Sequence, residues 1–151
     1  QNNANLYGGE VALHIHPHPL DWLHFETSFE TVTGKLQDGG YLPQIPANNW
    51  DNTLKTDFVI GKWLEDAFAT LNVSTTFSQD KVSGYDISSD DYTLVNMGFG
   101  GKVKLGRAAF DLNLNGNNLF NKTYIPHLSR LATSGIPNLG RNFVLGVAFK
   151  F

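Results

Sequence analysis

The chain has 151 residues, a length that suits one domain, and its 11 Lys and Arg against 14 Asp and Glu leave a net charge of −3. That balance offers no basic field for nucleic acid, and zero cysteines exclude a disulfide framework, a thiolate metal site and a cysteine nucleophile, while His and carboxylate metal sites stay open. There is no apolar run of about 18 residues to make a transmembrane helix, and mean hydropathy is −0.22, but a transmembrane β-barrel stays open because its strands alternate between lipid and lumen.

In chain order, apolar residues recur at every second position in seven segments, 6–15, 21–33, 49–61, 67–79, 92–105, 108–118 and 140–151. The chain opens at Gln1 with neither a basic nor an apolar leader, as expected of a mature start or of a piece of something longer. The first segment carries Tyr7, Val11, Leu13 and Ile15 on one face, and the second Leu23, Phe25 and Phe29. Leu54, Phe58 and Ile60 follow in the third, then Ala67, Ala69, Leu71, Val73 and Phe77 in the fourth. The fifth gives Val95, Met97, Phe99, Val103 and Leu105, the sixth Phe110, Leu112 and Leu114, and the seventh Phe143, Leu145, Val147, Phe149 and Phe151. The other face holds the strand-borne charge, including Glu10, Glu26, Glu30, Lys55, Asp57, Lys102, Lys104, Asp111 and Lys150, together with Asn72, Asn96, Asn113 and Asn115. Arg141 is the charged residue in phase with the apolar face. The pattern predicts an all-β fold, an antiparallel up-and-down meander of seven strands with one dry and one wet face.

The connections sort by length. Those at 16–20, 62–66 and 106–107 are short, and those at 34–48, 80–91 and 119–139 are long. In a meander every second connection lies at the same end, so one rim carries tight turns and the other excursions, as in outer-membrane barrels with short periplasmic turns and long outer loops. Trp22 and Trp63 fall beside the short turns, and Tyr7, Trp50 and Tyr92 near the long-loop rim, where amphipathic rings would form two belts.

The end of the chain carries the most specific signals. Phe143, Leu145, Val147, Phe149 and Phe151 alternate up to a terminal phenylalanine, which resembles the signature read by the barrel-assembly machinery. Before it stand Asn118-Leu119-Phe120-Asn121-Lys122-Thr123-Tyr124 and Ile136-Pro137-Asn138-Leu139-Gly140-Arg141-Asn142-Phe143, and upstream Tyr41-Leu42-Pro43-Gln44-Ile45-Pro46 and Pro19-Leu20-Asp21-Trp22-Leu23. Taken in chain order, the four elements resemble the C-terminal barrel of TonB-dependent outer-membrane receptors. The resemblance implies part of a barrel of about 22 strands, with residues 1–151 as its C-terminal part and the plug and first strands absent. It further implies nutrient uptake in a Gram-negative outer membrane, for iron chelates, haem, metal or a similar scarce ligand, with no enzymatic chemistry and no cofactor. The implied partners are outer-membrane lipid, the remaining barrel strands and plug, the barrel-assembly machinery, and TonB through the N-terminal part. The alternative is a soluble β-barrel or sandwich serving as a ligand-binding or adhesion module.

Two groups of histidines bear on ligands. His14, His16 and His24 share the wet face near one short turn and are candidate metal ligands, although a solvated polar turn is the plainer reading. His127, in the longest loop, is placed to meet a substrate. The sequons at Asn72 and Asn121 are chance matches in a bacterial barrel, and Gly98-Phe99-Gly100-Gly101 lacks the following helix of a nucleotide loop. No carboxylate pair or Ser/His/Asp ordering stands out as catalytic.

Overall fold

A computed structural model describes residues 3–84, 86–106 and 108–149. Seven strands follow one another: β1 (Ala4–Ile15), β2 (Leu23–Leu36), β3 (Asn49–Ile60), β4 (Leu64–Thr76), β5 (Tyr92–Leu105), β6 (Ala108–Asn117) and β7 (Asn142–Phe149). They form one sheet in sequence order, each strand antiparallel to the next. Among the described residues β1 and β7 each keep an unpaired outer edge, and no second layer packs on the sheet.

The register confirms the two faces. Residues directly opposite one another in an antiparallel pair share a face, and dry meets dry through all six ladders: Val11 with Phe29, Phe25 with Leu54, Leu54 with Leu71, Leu71 with Met97, Phe99 with Leu114, and Leu114 with Leu145. A one-residue slip in any ladder would move an entire strand's apolar set to the wet side. The apolar face is nonetheless uncovered, with Val11 64%, Leu13 57%, Leu145 65% and Phe149 61% exposed. A patch around Leu64, Ala67 and Val103 is buried beneath Phe58, Phe99, Phe110 and Leu112.

β4 begins three residues before the expected 67, and the reason is a bulge. Asp66 takes a left-handed φ of 50°, and the step from Leu64 to Ala67 lies opposite the two-residue step from Phe58 to Ile60. The extra residue returns both Leu64 and Ala67 to the dry face, where unbroken alternation would have sent one of them to the wet side. The connections alternate as expected, with 16–22, 61–63 and 106–107 at one rim and 37–48, 77–91 and 118–141 at the other. Two expectations need correction. Tyr92 lies opposite Thr76 in the wet register and stacks on Tyr124 at 4.5 Å, so it is not part of an apolar belt. Arg141 precedes β7 and its guanidinium donates to the Leu119 carbonyl, 3.4 Å away, so it is a loop residue rather than a charge on the dry face.

Candidate functional site

The wet face divides into two chemical regions. Towards the long-loop rim, side-chain amides link strand to strand. Asn72 donates to Thr53 Oγ1 (3.0 Å) and Asp51 Oδ1 (3.3 Å), Asn96 donates to Asn72 Oδ1 (2.9 Å), and the Asn118 backbone N–H donates to Asn96 Oδ1 (2.9 Å). Gly98 and Gly100 make room for this layer on β5: a Cβ on Gly98 would lie 2.5 Å from Thr70 Oγ1, and one on Gly100 2.7 Å from the Phe68 ring.

The asparagines flagged in the sequence form a clasp where β6 leaves the sheet. Asn118 and Asn121 adopt φ of 50° and 53°, a conformation asparagine tolerates. The Asn118 amide holds both the N–H and the carbonyl of Lys122 at 2.8 Å, and Asn121 Oδ1 accepts from the Arg141 N–H at 2.9 Å. A side chain on Gly140 would meet Asn121 Oδ1 at 2.6 Å. The Asn-Leu-Phe-Asn and Gly-Arg-Asn elements are therefore two halves of one closure, which brings the ends of loop 118–141 together. Within it, Asn138 donates to the Tyr124 hydroxyl at 3.1 Å, and burial, with the neighbouring Tyr92, pushes the Tyr124 phenol up from its ordinary pKa.

His127 lines a cleft of about 310 Å3 between loops 77–91 and 118–141, with Ile87, Tyr92 and Tyr124 among its walls. Its Nδ1 is hydrogen-bonded to Ser89 Oγ at 3.2 Å. The two long loops are thus tied to each other, and loop 37–48 joins them through the Gln44 N–H to Asp86 (2.9 Å) and Gln79 Nε2 to the Pro46 carbonyl (2.9 Å). That a serine from a different loop holds His127 was not legible in the sequence, because Ser89 and His127 are 38 positions apart.

At the tight-turn rim the wet face is ionic. His24 Nε2 lies 2.8 Å from Asp57, Lys55 lies 3.1 Å from Asp57, His14 Nε2 lies 3.3 Å from Glu26, and Lys104 lies 2.6 Å from Glu65. The three candidate ligands converge here. His16 lies between the other two rings, 4.2 Å from His14 and 4.5 Å from His24 by centroid. One nitrogen of each ring lies within 4.8 Å of those of the other two.

The segment read as an assembly signal occupies the free edge of the sheet. Phe143, Leu145, Val147 and Phe149 lie opposite Gly116, Leu114, Leu112 and Phe110, all in the dry register. Phe151, together with Lys150 and Arg107, lies outside the described residues.

Known proteins bear on the fold. No family model matches the chain, and no curated protein matches its sequence. Among solved structures it is similar to the copper transporter OprC, with a TM-score of 0.81 and 24% identity over 98% of this chain. The chain spans about a quarter of that protein, 23% of its length. At that identity the likeness concerns the fold, a seven-stranded arc.

Proposed function

We propose that residues 1–151 form the C-terminal arc of a β-barrel of about 22 strands in a bacterial outer membrane, within a TonB-dependent receptor that imports a transition metal or its chelate. The observation that carries this reading is the uncovered apolar face: six ladders align its residues, and no layer of the described chain packs over it. A soluble sandwich would bury that face against a second sheet, whereas a barrel wall turns it to lipid. The sorted connections fit the same reading, and the likeness to a copper transporter favours metal over the other scarce ligands. In such a protein the free edges of β1 and β7 pair with further barrel strands, because an open edge is not tolerated in hydrocarbon. TonB and the barrel-assembly machinery are the partners this assignment carries with it, and the chain supplies a wall and loops rather than a reaction.

The test is an epitope inserted in cells. A tag near Ser88, in loop 77–91, is expected to be reached by antibody on intact bacteria, and one beside Gly106 only after the outer membrane is opened. Labelling in the opposite sense, or a protein released by lysis without detergent, overturns the proposal.

A further inference from the structure

We infer that His14, His16 and His24 form a binding site for a late divalent transition metal, placed at the tight-turn end of the wet face. The cluster follows from the register. His14 lies opposite Glu26 and Ile15 opposite Phe25, so continuing the ladder by one pair sets His16 against His24, with His14 diagonal to it on the same face. Directly opposed and diagonal positions are the ones whose side chains touch across a sheet. Ring separations of 4.2, 4.5 and 6.1 Å follow.

The surroundings orient the rings. His24 Nε2 is engaged by Asp57 at 2.8 Å and His14 Nε2 by Glu26 at 3.3 Å, which leaves Nδ1 of each as the available lone pair. Metal-binding histidines characteristically hold their second nitrogen on a carboxylate in this way, which fixes the tautomer and raises the basicity of the ligand. His18, in the same turn, lies 3.6 Å from Asp21 with its side chain 87% exposed, and it is not a member of the group. Three imidazoles suit copper, zinc or nickel rather than magnesium or calcium, which take oxygen ligands. Metal–nitrogen bonds of about 2.0–2.1 Å hold two ligand nitrogens no more than about 4.2 Å apart, so the rings must turn to close on one ion, and His14 and His16 are exposed enough to do so. Three ligands leave a position open, which suits a site that passes its ion on. The metal site stands on these residues alone. Its place at the inner end of an import path rests on the barrel reading above.

The experiment uses the protein that carries this chain, purified in detergent, stripped with chelator and titrated with Cu(II). Electron paramagnetic resonance is expected to show imidazole nitrogen coupling at one equivalent. That signal should vanish in H14A/H16A and in H24N, with the corresponding copper affinity down at least about 100-fold, while H18A matches the parent. D57N should keep the nitrogen signal and weaken affinity about 10–100-fold. Heat-modified gel mobility verifies that each variant is folded. Unchanged copper binding and spectrum in folded H24N overturn the site, and unchanged affinity in D57N overturns the role given to that carboxylate. Copper binding at this site by a protein that needs no detergent would refute the barrel reading and leave the site standing. A detergent-embedded barrel without the signal refutes the site alone.

Discussion

Leu112 and Asn113 are neighbours on β6, yet they belong to surfaces held by different forces. Leu112 packs against the patch around Leu64, Ala67 and Val103 and lies opposite Gly101 and Val147. Asn113 points the other way, opposite Gly100 and Gly146, with its amide oxygen over the Gly100 backbone. Contact between side chains organises the dry face, while amides and ion pairs that run from strand to strand organise the wet one. A polar residue on the dry face therefore has to find its partner there, whereas one on the wet face can also use water.

The sharpest way to break this contrast is to place the same charge on each side. Leu112→Arg is expected to destabilise the barrel by about 2–4 kcal/mol, since Leu112 lies midway along its strand and a cation at the bilayer midplane costs that much. Asn113→Arg, one residue along, should stay within about 0.5 kcal/mol. A urea titration of refolding in detergent reads both, and equal costs would refute the assignment of the faces.

The faces were legible because period 2 survives in the bare sequence, from Tyr7 to Phe149. The bulge was not: Asp66 carries no signal that distinguishes it from an ordinary wet-face residue, and the true start of β4 at Leu64 appears only when its pairing with Val103 is seen. The histidine cluster was half legible. Alternation put His14, His16 and His24 on one face, but whether they meet depends on the register set by turn 16–22. A slip of two residues would keep every face and separate His16 from His24. The clasp was legible as motifs without their purpose, because Asn121 and Gly140 are 19 positions apart and their closeness belongs to the loop.

Thr27 sharpens the comparison at a smaller scale. It lies in the dry register, yet its hydroxyl donates to Asn52 Oδ1 at 2.8 Å and accepts from Trp50 Nε1 at 3.0 Å. Period 2 places both Thr27 and Asn52 on the dry face, opposite each other across the β2–β3 ladder. Thr27→Val keeps the shape and strands both partners, and if lipid lies outside, neither can turn to water. The expected cost is about 1–3 kcal/mol, the penalty for unsatisfied groups in an apolar setting. A cost near zero in a bilayer refolding titration would mean that water reaches this face.

Thr75 and Thr93 give the smallest effect and the cleanest control. They lie opposite each other in the dry register, with their hydroxyls 3.0 Å apart and hydrogen-bonded. Replacing one, as in T75V, leaves the other hydroxyl without its partner and should cost up to about 1 kcal/mol, the net worth of one such bond. Replacing both removes donor and acceptor together, and matched apolar groups in their place can be neutral or stabilising. T75V/T93V is therefore expected to refold within about 0.5 kcal/mol of the parent and to be more stable than T75V alone. On a water-facing surface the lone hydroxyl would be solvated, and the single and double variants would show no coupling. Non-additivity in this double-mutant cycle reads the solvent on the dry face without introducing a charge or disturbing the packing. Strict additivity would place the pair in water and move the apolar boundary inward from the long-loop rim.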